Sequence, residues 1–101
     1  MSAVNSVKVI INIHSGLSDK DEARRLLTEI FAAGGVDSEV SLAKSGAEVA
    51  RLARQAVQDK WTVIVAGGGD GTVNTVASQV IGTEKILGVL PLGTFNHFAR
   101  D

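Results

Sequence analysis

The stretch Ala66-Gly67-Gly68-Gly69-Asp70-Gly71-Thr72-Val73-Asn74 combines four glycines within five positions with one acid and one hydroxyl. Backbone that lacks Cβ atoms lets consecutive N–H groups approach a phosphate closely, and a helix starting near Thr72 aims the positive end of its dipole at the same place. The pattern therefore offers a phosphate loop, although a tight strand-to-helix turn uses the same glycines. Asp70 bears on the choice. An acid in a loop built to attract anions is accounted for by a cation held between carboxylate and phosphate. As a helix N-cap, the same carboxylate would contribute roughly 0.5–2 kcal/mol. Thr72 is open to both roles as well.

Neither of the two commonest nucleotide motifs fits. A P-loop needs a lysine after its glycines, and none follows here. A dinucleotide fingerprint counted from Gly67 finds Gly69 but meets Thr72 where its last glycine belongs. His14 and His97 could serve as acid–base groups, yet neither has a partner spaced to orient it, and no catalytic residue is assigned. Arg24, Arg25, Arg51 and Arg54 stand among acids and read as solvated helix faces. Trp61 reads as packing.

Strands and helices alternate around this loop. Val7–Ile13 is nearly continuous in apolar character, as a strand covered on both faces should be. Asp19 or Ser18 can cap the next helix, whose stripe falls at Ala23, Leu26, Leu27, Ile30 and Phe31 before Gly34 and Gly35 stop it. Val36–Leu42 alternates and reads as a half-exposed strand toward an edge. Ser45 and Glu48 form a capping-box pattern ahead of a second stripe at Val49, Leu52, Ala53, Ala56 and Val57. Trp61–Ala66 reads as the central strand. After the glycine loop a third stripe runs through Val73, Val76, Ala77, Val80 and Ile81, with Gly82 placed to end it. Ile86–Leu90 makes a fourth strand, and the segment from Phe95 to Asp101 reads as a helix cut short.

This order, β-α-β-α-β-α-β-α, predicts an α/β fold: a three-layer αβα domain with a mostly parallel sheet. The loops after the strands, Asn12–Gly16, Ala43–Gly46, Gly67–Gly71 and Leu92–Thr94, should converge on the carboxyl edge of the sheet, where open α/β folds bind ligands.

The chain has 101 residues, 45% apolar and 21% charged, which suits one globular domain. A net charge of −1, with three Phe, one Trp and no Tyr, argues against nucleic acid as a partner. No apolar run approaches the roughly 20 residues of a membrane span, and no signal region opens the chain, so it reads as cytoplasmic. The absence of cysteine removes disulfides and thiolate metal sites.

Gly68-Gly69-Asp70-Gly71-Thr72 resembles a signature shared by the diacylglycerol kinase catalytic-domain family, NAD kinases and, more loosely, phosphofructokinases. Two further blocks favour the lipid kinases. Val73-Asn74 extends the glycine motif, and Leu90 to Arg100 is similar to that family's Pro-x-Gly-Thr-x-Asn-Asp/His-Phe-Ala-Arg block. Asn12-Ile13-His14-Ser15-Gly16 resembles its Asn-Pro-x-Ser-Gly, with Ile13 in place of the proline. The resemblance implies an NAD kinase/phosphofructokinase-like fold and an ATP-dependent transfer of the γ-phosphoryl group to a lipid hydroxyl of diacylglycerol type. It places ATP against Asn12, Ser15, Gly16, Gly68, Gly69, Asp70, Gly71, Thr72, Val73, Asn74, Gly93 and Thr94, with Asp70 facing Mg2+. It also implies that residues 1–101 are the ATP-binding half of the catalytic domain, inactive alone. The general base would come from a second, β-rich domain, and the full-length enzyme would be peripheral at the membrane.

One departure concerns a phosphate-contacting threonine that many members carry four residues before the glycine of the second loop. Leu42 stands there, with Ser41 and Ser45 as substitutes. The alternatives to a lipid kinase are an NAD kinase-like enzyme, which Phe95-Asn96-His97-Phe98 weighs against, and a non-enzymatic nucleotide-binding module. Such a module could form a homo-oligomer through apolar surface left on its last strand and helix.

Overall fold

A computed structural model of the chain describes residues 6–14 and 19–91. Four strands, β1 (Ser6–Asn12), β2 (Asp37–Ala43), β3 (Val63–Gly68) and β4 (Ile86–Pro91), form one sheet in the order β2-β1-β3-β4. Every neighbouring pair is parallel. Three helices, α1 (Lys20–Ala33), α2 (Gly46–Val57) and α3 (Asp70–Val80), make the connections. The alternating order, the parallel sheet, the edge position of β2 and the interior position of β3 are as the sequence predicts. The expected helix after β4 lies outside the described residues.

Layering follows from which residues point to which face. Val7, Val9, Ile11 and Val40 form one core cluster, against which Leu27 and Phe31 of α1 pack. Ile10, Ala43, Ile64 and Ala66 point the other way and meet Val49, Ala53 and Ala56 of α2 and Val76 and Val80 of α3. β1 is therefore covered on both sides, and its apolar run needs no polar face. Trp61 is buried in the second cluster, with the Lys60 ammonium 4.8 Å from its ring centroid.

Three expectations need correction. β3 begins at Val63, so Trp61 and Thr62 precede the strand while Gly67 and Gly68 belong to it. The stripe of α1 is only half used. Leu27 and Phe31 pack, but Leu26 and Ile30 stay 44% and 64% exposed, because one helix on that face cannot wrap both sides of its own stripe onto the sheet. Ile81 caps α3 rather than extending its buried stripe and is 79% exposed.

The caps explain the helix ends. Asp19 accepts from the Glu22 N–H at the start of α1, and Ser45 accepts from the Glu48 N–H at the start of α2. The Glu48 carboxylate reaches back to the Lys44 N–H, one residue beyond the usual capping-box partner, the N-cap N–H of Ser45. Arg24, Arg25 and Arg51 pair with Asp21, Glu22, Glu29 and Glu48 on the helix surfaces, as the solvated-face reading expects.

Candidate functional site

At the carboxyl edge of the sheet, β1 and β3 lie side by side, yet the chain leaves them toward opposite faces: α1 follows β1 on one side and α3 follows β3 on the other. The gap between such strands is where open parallel sheets leave a crevice. Here it holds a cavity of about 310 Å3 lined by Asn12, Gly46, Val49, Gly69, Gly71, Thr72 and Thr75.

Its geometry begins with the glycines. Gly68 has φ +156°, and a Cβ there would lie 2.8 Å from Thr72 Oγ1 and 3.0 Å from Thr72 Cβ. The end of β3 thus rests against the first turn of α3, with no room for a side chain between them. Gly69 is the N-cap of α3 and Asp70 its first helical residue. The capping roles considered for Asp70 and Thr72 are therefore not the ones they take. The N-cap has no side chain to offer, and Asp70 has already entered the helix.

The first bond within α3 runs from the Val73 N–H to the Gly69 carbonyl, 3.0 Å. The N–H groups of Asp70, Gly71 and Thr72 precede it and have no acceptor within the helix. They converge where the dipole of α3 is positive. Thr72 is buried, at 7% exposure, and its hydroxyl accepts from Asn12 Nδ2 at 3.4 Å. Asn12 Oδ1 in turn accepts from the His14 N–H at 2.9 Å, turning the chain as it leaves β1. His14 is exposed and enters the network through its backbone alone. No residue lining the cavity carries a formal charge. What the site presents to an anion is backbone N–H groups, the three amide or hydroxyl side chains of Asn12, Thr72 and Thr75 and a helix dipole, with the exposed Asp70 in the same turn.

Among the predicted positions, Asn12, Gly69, Gly71 and Thr72 line the cavity, Gly68 shapes it from beneath, and Asp70 sits in the same turn. Val73 packs against the core, and Asn74 is exposed on α3 without lining the cavity. Ser15, Gly16, Gly93 and Thr94 lie outside the described residues, as does His97. Gly46, Val49 and Thr75 line the cavity without having been singled out as contacts. Thr75 could have been found from its spacing, since it follows Thr72 by three residues on the helix.

The second strand supplies no hydroxyl to the cavity. Leu42 packs on the α1 side of the sheet, Ser41 accepts from the Lys8 ammonium at 2.7 Å, and Ser45 is committed to capping α2. What faces the cavity from that side is Gly46, the first residue of α2.

Comparison with known sequences decides the family. The profile of the diacylglycerol kinase catalytic domain matches residues 6–101. The chain belongs to the diacylglycerol kinase catalytic-domain family. Within it, the chain is 36% identical over 93 residues to the probable lipid kinase YegS of Escherichia fergusonii, covering 88% of this chain and 31% of that protein. It is 40% identical over 69 residues to a probable YegS-like lipid kinase of Klebsiella pneumoniae strain 342, covering 66% and 23%. The fold is shared with the crystal structure of a diacylglycerol kinase from Bacillus anthracis Sterne, with a TM-score of 0.69 at 24% identity, over 95% of this chain and 33% of the other. The chain spans about a quarter to a third of the length of the curated relatives it matches. No helix among the described residues is long and apolar enough to cross a membrane.

Proposed function

We propose that residues 1–101 form the ATP-binding half of a lipid kinase that passes the γ-phosphoryl group of ATP to a lipid hydroxyl, with diacylglycerol as the acceptor class. The observation that carries this reading is the N-terminus of α3, where the N–H groups of Asp70, Gly71 and Thr72 have no acceptor among the described residues, set beside the cavity that Gly71 and Thr72 line with Asn12. Such a cradle suits phosphate oxygens.

The fit to magnesium is of the kind nucleotide enzymes use. Mg2+ keeps several waters and is commonly held by one or two carboxylates plus substrate phosphates. Asp70 supplies one carboxylate, and no cluster of three acidic or histidine side chains is present among the described residues to form an all-protein cage. When bound, the ion would draw negative charge from the transferred group.

The residues of this chain would position rather than react. Asn12 and Thr72 hold the cradle at its width, and the α3 dipole offsets phosphate charge. The lipid oxygen forms its new bond to the γ-phosphorus as the bond to the ADP leaving oxygen breaks. The hydroxyl proton goes to a base supplied by a second, β-rich domain outside residues 1–101. Ser15, Gly16, Gly93 and Thr94 would complete the nucleotide contacts from the first and fourth loops, and the whole enzyme would work from the cytoplasm at the membrane surface.

Titration calorimetry of the chain with ATP in the presence and absence of Mg2+ tests the reading. Weak, Mg2+-dependent binding without phosphorylation of diacylglycerol is expected. Turnover by these residues alone would overthrow the assignment of the base to a second domain, and absence of any nucleotide binding would remove the cradle's proposed role.

A further inference from the structure

Asn12 and Thr72 share one hydrogen bond, and its direction is fixed by the backbone. The His14 N–H lies 2.9 Å from Asn12 Oδ1. A backbone N–H can only donate, so the Asn12 atom facing it must be the amide oxygen, and the atom facing Thr72 Oγ1 at 3.4 Å must be the NH2 group. Asn12 therefore gives a proton to Thr72, and the Thr72 hydroxyl has to send its own proton elsewhere.

The ordinary outlet for a helical threonine is the carbonyl four residues back. Thr28 uses it, donating to the Arg24 carbonyl at 2.8 Å, and Thr75 donates to the Gly71 carbonyl at 2.9 Å. Thr72 does not. The residue four back is Gly68, which still belongs to β3. Among the described residues, the bond accepted from Asn12 is the one that the Thr72 side chain makes. Thr72 is 7% exposed and lines the cavity. A buried hydroxyl whose proton meets no acceptor is costly, and native proteins leave few such groups without a reason.

We propose that Asn12 is a positioning residue: by donating to the Thr72 oxygen from β1 it keeps the hydroxyl turned into the cavity as a donor, and a phosphoryl oxygen of the nucleotide is the acceptor. The proposal rests on the reading of this cavity as an ATP site. The ligand-free chain carries the unmatched donor, and the ligand relieves it. The amide at position 12 is essential to this polarity. Asn12→Asp has the same shape but would accept from both the His14 N–H and the Thr72 O–H, which reverses the second bond and turns the threonine lone pairs toward phosphate. Stability and binding should then move in opposite directions, a signature that neither a purely structural asparagine nor a simple nucleotide contact gives.

Urea unfolding and ATP calorimetry near neutral pH, on one set of variants, test this. Asn12→Asp should raise the urea midpoint of the ligand-free chain, because it supplies the missing acceptor, and should weaken Mg2+-dependent ATP binding at least tenfold. The gain in midpoint should vanish in a Thr72→Val background, where there is no hydroxyl to capture. A gain that persists there comes from the new charge beside the α3 dipole and overturns the proposal. So does a midpoint that falls, or an ATP affinity that Asn12→Asp leaves unchanged. Should Asn12→Asp fail to fold, Thr72→Val should hold the midpoint and lose ATP affinity at least tenfold, while Thr72→Ser, which keeps the hydroxyl, should retain the affinity; binding by Thr72→Val equal to that of the parent chain overturns the proposal. A parent chain that binds no ATP overturns the nucleotide reading and the acceptor named here, while the midpoints still decide, independently, the direction that Asn12 imposes on Thr72.

Discussion

Gly68 and Thr72 are in such close approach that a methyl group on Gly68 would stand 2.8 Å from the threonine oxygen. Because the backbone there also has φ +156°, Gly68→Ala should cost about 1–3 kcal/mol through strain and overpacking. For a domain of this size each kcal/mol lowers Tm by roughly 4–8 °C. Gly69→Ala, where a Cβ would meet nothing within 4 Å, should cost under about 1 kcal/mol. Thermal unfolding of the two variants side by side is the check, and equal shifts would show that the contact is not the reason for the glycine.

Asp70→Asn separates stability from binding. The carboxylate caps nothing and is exposed, so its loss forfeits only a favourable dipole interaction of about 0.3–1 kcal/mol. The Mg2+-dependent part of ATP binding should fall at least tenfold while urea unfolding barely moves. Retained Mg2+ dependence in calorimetry would take the metal role away from Asp70.

Lys8 and Glu39 offer an asymmetric test. Their ion pair is 2.8 Å long and joins a side chain 7% exposed to one 57% exposed. Removing the partner by Glu39→Ala leaves a buried ammonium with Ser41 as its remaining acceptor among the described residues, at a cost of roughly 1–3 kcal/mol. Lys8→Met keeps the volume, removes the charge and should be close to neutral. Denaturant midpoints for both variants decide it, and a larger loss for Lys8→Met would contradict the argument.

Acid sensitivity should involve Glu48. The Lys44 N–H that it accepts, followed by Arg51, holds its carboxyl below the ordinary carboxylate value. A carboxyl whose pKa is lowered on folding adds stability that is complete above the ordinary value and is lost as pH falls through the lowered one. Glu48→Gln should therefore flatten part of the decline in unfolding free energy on the acid side, with little effect on the slope near neutrality. An unchanged acid limb would show that the link to Lys44 does not persist in solution.

Much of this architecture was legible because single residues announce it. The β-branched run of β1 and the Ser45–Glu48 spacing each have one strong physical reading, and strand alternation then fixes the layers. Boundaries were less legible around residues that serve two elements. Gly67 and Gly68 look like loop glycines, yet they continue the ladder of β3 opposite Leu90 and Pro91. Asp70 has the chemistry of a cap, and only the backbone shows that Gly69 holds the position. Leu26, Ile30 and Ile81 fit a helical stripe equally well whether or not anything lies over them. The candidate site was partly legible: Asn12, Gly69, Gly71 and Thr72 line one cavity and Thr75 follows by helical spacing, Val73 and Asn74 turn away from it, and Gly46 and Val49 join through the packing of α2, which periodicity alone does not specify.

The strand order also sets a timetable. β1 is made first but sits between β2 and β3, and its bonds to the third unit reach across 56 residues from Ser6 to Thr62 and 60 from Asn12 to Thr72. Closing such long loops is the slow part of forming a parallel sheet. During synthesis the apolar run from Val9 to Ile11 must therefore wait, with one flank open, until β3 has emerged. The cradle at Asn12 then takes shape only once Thr72 has reached it, so the nucleotide proposed for it would not guide the early steps and would only lock the finished sheet.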